Sequence, residues 1–232
     1  MKILVLNGNT TVEVTDRMVA ALGPFCPENV HIVGATAAFG MPYVSTRPAV
    51  AIAGHAALEA VRTQVAGEAA AGRAPFDACF YACFGEPGID ALRAENAFPV
   101  AGMAEAAILT ALQLGERFSI VTVGAAWPGM LRDLMRRTAL DARFAGFGVV
   151  PGDALSVASD RAAGARIVGD VIGQVLATQA PDVVIVGGAA LAGYGTQLQA
   201  ACPVPIVDSL HSGFEQALAL ARLVRRARPS AA

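Results

Sequence analysis

The 232-residue chain reads as an α/β protein made of two similar lobes, each a parallel sheet flanked by helices. Three observations predict this. Short apolar runs alternate with helix-length stretches, the pattern of strands joined by crossover helices. The strand candidates are continuously apolar rather than alternating, as buried parallel strands are. Three segments also recur in the same order. Lys2–Asn7 corresponds to Phe118–Val123, Asp77–Gly88 aligns without a gap on Asp182–Gly193, and Phe98-Pro99-Val100 answers to Val204-Pro205-Ile206. The offset is roughly 105–116 residues, which points to an internal duplication.

Each element has a local reason. Lys2 to Leu6 is a short apolar strand closed by the polar turn Asn7-Gly8-Asn9. Thr10 and Glu13 then form a capping-box pattern that starts a helix near Thr11. Val30–Val33 is the second strand, residues 40–48 form a loop, and an alanine-rich helix runs to Gly67. Phe76–Ala82 is the third strand and Gly88–Ala94 a short helix. The pattern then restarts with a strand at Phe98–Ala101 and a helix at Met103–Leu114. Strands follow at Phe118–Val123, Phe147–Val150, Val183–Val186 and Pro205–Val207, with helices at Pro128–Arg137, Ala162–Thr178 and Ser212–Arg226. These predict a first lobe of residues 1–98 plus 208–232 and a second of 99–207, related by a pseudo-twofold axis. Ligands of such sheets bind at the carboxyl ends of the strands, so the active site is expected in the cleft between the lobes.

Composition removes several function classes. Hydrophobic residues make up 55% and charged residues 16%, a packed globular balance. A net charge of −2 and a pI near 5.9 give no electrostatic case for nucleic acid or an anionic membrane. The mean hydropathy of +0.52 reflects alanine-rich helices, since no run approaches the roughly 18 apolar residues of a spanning helix. The apolar stretch after Lys2 is too short for a signal peptide. The cysteines Cys26, Cys79, Cys83 and Cys202 form no CxxC pair and have no metal-ligand spacing with His31, His55 or His211. These features predict a reduced, cytoplasmic protein that takes a small molecule and no metal.

Cys83 is the residue that points to chemistry. It ends an apolar run and opens the turn Phe84-Gly85-Glu86-Pro87-Gly88, where small residues let backbone N–H groups approach a ligand. Its counterpart in the second repeat is Gly188, within Val186-Gly187-Gly188-Ala189-Ala190. Cys79, four residues earlier, reads as core, and Glu86 as a solvated charge. Asn7 is either a turn former or a substrate contact.

These segments resemble the aspartate/glutamate/hydantoin racemase superfamily, most closely its hydantoin-racemase-like branch. The resemblance is carried by Ile3-Leu4-Val5-Leu6-Asn7-Gly8-Asn9-Thr10-Thr11, where the branch usually reads Asn-Pro-Asn-Thr, and by Ala82-Cys83-Phe84-Gly85-Glu86-Pro87-Gly88. It continues through Pro99-Val100-Ala101-Gly102-Met103-Ala104-Glu105-Ala106, Val186 to Gly193, and Pro205-Ile206-Val207-Asp208. It implies a cofactor-free isomerase acting at a carbon next to a carbonyl, and a homo-oligomer. In the family one cysteine removes the proton and a second returns it on the opposite side. The first maps onto Cys83 and the second onto Gly188, so the two-cysteine mechanism is incomplete in this chain.

The implied site is Cys83 as acid/base, with Asn7, Phe84, Gly85, Thr122, Gly188, Ala189 and Ala190 around the substrate. The backbone N–H groups of Phe84, Gly85, Ala189 and Ala190 are candidate donors to a developing oxyanion. A water, His211 or Glu105 stands as the second proton carrier. One thiol alone also suits a decarboxylase that protonates an enolate on one face, as in the arylmalonate decarboxylases of the same superfamily. A third alternative is a relative that binds its ligand without turning it over.

Overall fold

The computed structural model describes residues 1–152, 154, 157 and 160–227. It divides into two compact units, Met1–Met103 together with the chain from Gly213, and Ala104–Ser212. In the first unit, β1 (Lys2–Asn7), β2 (His31–Thr36), β3 (Ala78–Tyr81) and β4 (Val100–Gly102) form a parallel sheet of order β2-β1-β3-β4. In the second, β5 (Phe118–Val123), β6 (Phe144–Val150), β7 (Val183–Val186) and β8 (Ile206–Asp208) form a parallel sheet of order β6-β5-β7-β8. The two orders are the same when the second set is read as a repeat of the first. The three sequence correspondences thus fall on β1 and β5, β3 and β7, β4 and β8.

The helices are α1 (Val12–Leu22), α2 (Arg47–Ala70), α3 (Ile89–Glu95), α4 (Met103–Leu114), α5 (Trp127–Arg137), α6 (Arg161–Gln179), α7 (Tyr194–Leu198) and α8 (Ser209–Ala227). Their starts have chemical causes. Thr46 Oγ1 accepts from Ala49 N–H at 3.3 Å to begin α2, and Asp160 Oδ1 accepts from Ala163 N–H at 2.9 Å to begin α6. On one face of the first sheet, Leu4, Leu6, Cys79 and Tyr81 pack with Ala57 and Val61 of α2 and with Ile89 and Leu92 of α3. Gly213 in α8 has no room for a side chain, because the Phe80 ring fills that space. This close approach fixes α8 on the first unit.

The repeat is also visible in how β3 and β7 are framed. Asp77 Oδ2 accepts the Lys2 N–H at 2.8 Å, which ties the start of β3 to the start of β1. Asp182 Oδ2 does the same before β5, accepting Glu116 N–H at 3.0 Å and Arg117 N–H at 2.8 Å. At the far end, Gly88 (φ 74°) precedes α3 and Gly193 (φ 82°) precedes α7, both left-handed. That conformation is open to glycine and costly for most other residues. The Asp and Gly that bracket each repeat therefore hold the same posts in both sheets.

Several boundaries differ from the sequence expectation. The strand at Val100–Gly102 pairs with β3 and belongs to the first sheet, not to a second lobe beginning at residue 99. The last helix starts at Ser209, not Ser212, because Asp208 Oδ1 accepts the N–H groups of Leu210 (3.0 Å) and His211 (3.4 Å). β6 begins at Phe144, three residues before the expected Phe147, across a register irregularity at Phe118/Ser119. The short helix α7 was not foreseen in the sequence, since five residues carry too little periodicity.

Candidate active site

β3 ends at Tyr81, and Cys83 follows within the turn that leads to α3. All four cysteines are free thiols. Cys79 is fully buried and burial lifts its thiol far above the ordinary value, so it is core, as the sequence indicated. Cys83 is partly exposed and packs against the core cluster beneath it. Burial pushes its thiol from 9.0 up to about 11, opposed by the Gly85 N–H, reinforced by the Glu86 carboxylate and opposed again by the Glu86 N–H. Both N–H groups pull toward the thiolate, although the Glu86 N–H is bonded to the Cys83 carbonyl at 2.9 Å, and at rest the sulfur keeps its proton.

Glu86 overturns the expectation of a solvated charge. It is 1% exposed, and its carboxyl occupies the space where Gly102 lacks a side chain. Its φ of 50° is the left-handed value that the tight turn demands of this residue. An acidic residue between Gly85 and Pro87, directly after a strand, was the available signal, because such a turn folds back onto the strand end. Tyr81 was also missed. It is 0% exposed, and its hydroxyl has no hydrogen-bond partner.

The expected substrate contacts divide by burial. Asn7 is 1% exposed, and its amide Nδ2 donates to Asn9 Oδ1 (2.9 Å) and Thr15 Oγ1 (3.0 Å) while its Oδ1 accepts from Asn9 N–H (3.1 Å). The side chain shapes the loop, the turn-forming role that the sequence offers as one of two alternatives. Phe84 and Thr122 are likewise buried. Gly85 and Ala189 are partly exposed.

The β7 end is built differently. Gly188 has φ 116° and ψ 147°, a region essentially confined to glycine. A Cβ at Gly188 would meet nothing within 4 Å. Its N–H donates to Ser209 Oγ at 3.2 Å, and Leu191 N–H returns to its carbonyl at 2.9 Å. Ala189 and Ala190 lie in this turn. The neighbouring Asp208, 7% exposed, accepts Gly193 N–H at 2.7 Å on Oδ2. Burial raises Asp208 above its ordinary value against the opposing N–H groups of Gly193, His211, Leu210 and Gly195. Asp208 and Ser209 thereby pin both ends of the Gly188–Gly193 segment to the start of α8. They were not singled out in the sequence, although an Asp-Ser pair between a strand and a helix is a cap signature.

Of the second-proton candidates, His211 is partly exposed one turn into α8, with its N–H on Asp208. Glu105 is partly exposed in the first turn of α4. Among the described residues no three His, Cys, Asp or Glu side chains group as a metal site, and no helix is long and apolar enough to cross a membrane. Cavities of about 470 and 170 Å³ in the first unit open elsewhere, one at Lys2, Asp77 and Arg225 and the other at Phe76 and Phe98.

The duplicated parallel sheets and the strand-end thiol have counterparts among known proteins. Residues 3–217 match the family model described as Asp/Glu/Hydantoin racemase. The chain belongs to the Asp/Glu/hydantoin racemase family, on its hydantoin-racemase-like side. A hydantoin racemase of Pseudomonas sp. (strain NS671) is 26% identical over 215 residues, covering 93% of this chain and 84% of that protein. The crystal structure of an allantoin racemase from Pseudomonas fluorescens superposes with a TM-score of 0.88 at 27% identity, covering 97% of this chain and 92% of that one. Arylmalonate decarboxylase, in a variant with a glycine-to-cysteine and a cysteine-to-serine exchange, shares the fold with a TM-score of 0.69 at 14% identity over 95% and 92% of the two chains.

Proposed function

We propose that this protein moves a proton at a carbon next to a carbonyl in a hydantoin-like or ureide-like small molecule, without a cofactor, with Cys83 as the acid/base. The observation that carries this reading is the free, partly exposed Cys83 thiol just past the carboxyl end of β3, where the nearby Gly85 and Glu86 N–H groups pull its pKa down against burial. Those donors favour the thiolate, the form able to remove a proton. The naming of the relatives as hydantoin and allantoin racemases supports the substrate class. With glycine at position 188, inversion needs a second carrier, and His211, Glu105 or a water fills that role.

A decarboxylase is the second reading, and one observation favours it. A thiol raised to about 11 is almost wholly protonated at neutral pH, with roughly one molecule in ten thousand ionised. Chemistry that begins by donating a proton to an enolate needs no prior activation of such a group.

Solvent-deuterium exchange followed by NMR tests both readings on 5-substituted hydantoins, allantoin, amino acids and arylmalonates. The expected result is exchange at the acidic carbon of a hydantoin or ureide that is lost in Cys83→Ala. Exchange matched by loss of optical activity establishes racemisation. Carbon dioxide release from a malonate without exchange on hydantoins selects the decarboxylase. No turnover of the whole panel by the wild-type protein sinks the carbon-acid reading.

A further inference from the structure

Two tyrosines, Tyr81 at the end of β3 and Tyr194 at the start of α7, are fully buried, and they are treated differently. Tyr194 is 0% exposed and donates to Val157 O at 2.7 Å, with the Arg161 guanidinium 3.9 Å above its ring. Tyr81 is equally buried, yet its hydroxyl has no hydrogen-bond partner. A buried hydroxyl without a partner costs free energy, and native proteins keep few of them.

The surroundings of Tyr81 are fitted to this hydroxyl. A Cβ on Gly8 would lie 2.7 Å from Tyr81 Oη, so the loop after β1 leaves space for the oxygen at a position with no side chain. The loop's own amides do not serve it, since Asn7 and Asn9 bond to each other and to Thr11 and Thr15. Tyr81 and Cys83 are alternate residues, and Cys83 packs on the cluster that contains Tyr81. The titratable groups that face Tyr81 are Cys83, Cys79 and Glu86; with burial they hold its phenol well above the ordinary value. Tyr81 therefore keeps its hydroxyl proton, and with it the ability to donate, around neutral pH.

We propose that Tyr81 is a positioning residue for Cys83: its hydroxyl, partnerless in the resting protein, donates to the Cys83 sulfur once that sulfur loses its proton. The proton leaves from the exposed side of the thiol, none passes from Tyr81, and a turn of Cys83 about χ1 brings the sulfur toward the phenol. A charge-assisted bond of this kind then adds to the pull of the Gly85 and Glu86 N–H groups toward the thiolate. The catalytic meaning rests on the carbon-acid reading above, whereas the bond itself can be tested without a substrate.

The test is the pH dependence of iodoacetamide alkylation at Cys83, read by peptide mass spectrometry, in the wild type and in Tyr81→Phe. The expected result is an apparent pKa about one unit higher in the variant, or about ten-fold slower alkylation at a fixed pH below the transition. Thermal stability of the ligand-free variant is expected to be unchanged or raised, because a partnerless hydroxyl has been removed. Unchanged or faster alkylation overturns the proposal. A clear loss of thermal stability also overturns it, since the hydroxyl would then have a resting partner such as a buried water. Replacing the three tyrosines by 3-fluorotyrosine keeps the shape and strengthens the donor, so the Cys83 transition should move down; no movement counts against the proposal even where Tyr81→Phe does not fold. A negative exchange screen combined with a shifted alkylation profile would sink the carbon-acid reading and leave this bond standing.

Discussion

At the end of β3 the chain turns through Cys83 with a φ outside the left-handed range, whereas at the end of β7 it turns through Gly188 at φ 116° and ψ 147°. Both strands follow an aspartate that ties two strands together, and both turns finish at a left-handed glycine before a helix. The frame is shared, but the interior has diverged in backbone as well as in side chain. Restoring a thiol at the β7 end is therefore a different task from adding one sulfur atom. The space is open, but the backbone is in a conformation that suits glycine alone. The same comparison explains why Asp208 and Ser209 matter at β7, where their side chains hold a turn that at β3 is closed by backbone bonds from Glu86 N–H to the Cys83 carbonyl and from Ile89 N–H to the Glu86 carbonyl.

The largest expected effect breaks the comparison at its reactive end. Cys83→Ala should reduce carbon–hydrogen exchange about 10²–10⁴-fold, the usual worth of a positioned acid/base, while calorimetry still detects ligand binding. Next, Gly188→Cys should cost about 1–3 kcal/mol in urea unfolding, because a side chain is forced into a glycine region. A gain of racemisation without that cost would show that the backbone difference between the two turns is immaterial. Asp208→Asn should cost about 1–2 kcal/mol through the weakened bond to Gly193 N–H. It should also speed amide exchange at Gly193 more than at Gly88, since only the β7 turn depends on Asp208.

The smallest effect lies far from either turn and serves as a control. Glu68 is held by Arg73 (Nε to Oε2, 2.8 Å) and by Lys2, and these partners lower its carboxyl from 4.5 to about 2. A folded-state value below the unfolded one contributes stability that is present above about pH 4.5 and lost as pH falls through about 2. Glu68→Gln should thus be less stable than the wild type near neutrality, with the gap closing in acid, as followed by thermal melts across that range. Activity should not change.

The sheets were legible in the sequence because buried parallel strands are written as continuous apolar runs, and Val183–Val186 and Phe118–Val123 could be read directly. The duplication was legible because Asp77 and Gly88 recur as Asp182 and Gly193, residues whose hydrogen bonding and backbone angle fix them at their posts. The strand boundary at Val100–Gly102 was not, since three apolar residues do not say which sheet they join. At the site, Cys83 stood out by its neighbours. The states of Glu86 and Tyr81 did not, because burial of a carboxyl or a phenol depends on what Gly102 and Gly8 leave empty, and sequence spacing carries no such information. The bonding of Asn7 was hidden for a related reason, its partners Asn9 and Thr15 meeting it only after the loop has folded.

The anchoring of the Asp77–Gly88 and Asp182–Gly193 segments has a consequence for how new activities arise on this scaffold. Each behaves as a cassette clipped in at both ends, so its middle can be rewritten while the clips keep the surrounding sheet in register. A thiol on one cassette and a bare glycine on the other are two settings of the same mount. Exchanging the interiors of the two cassettes, with their clips left in place, is a route by which one scaffold can carry its thiol on either sheet.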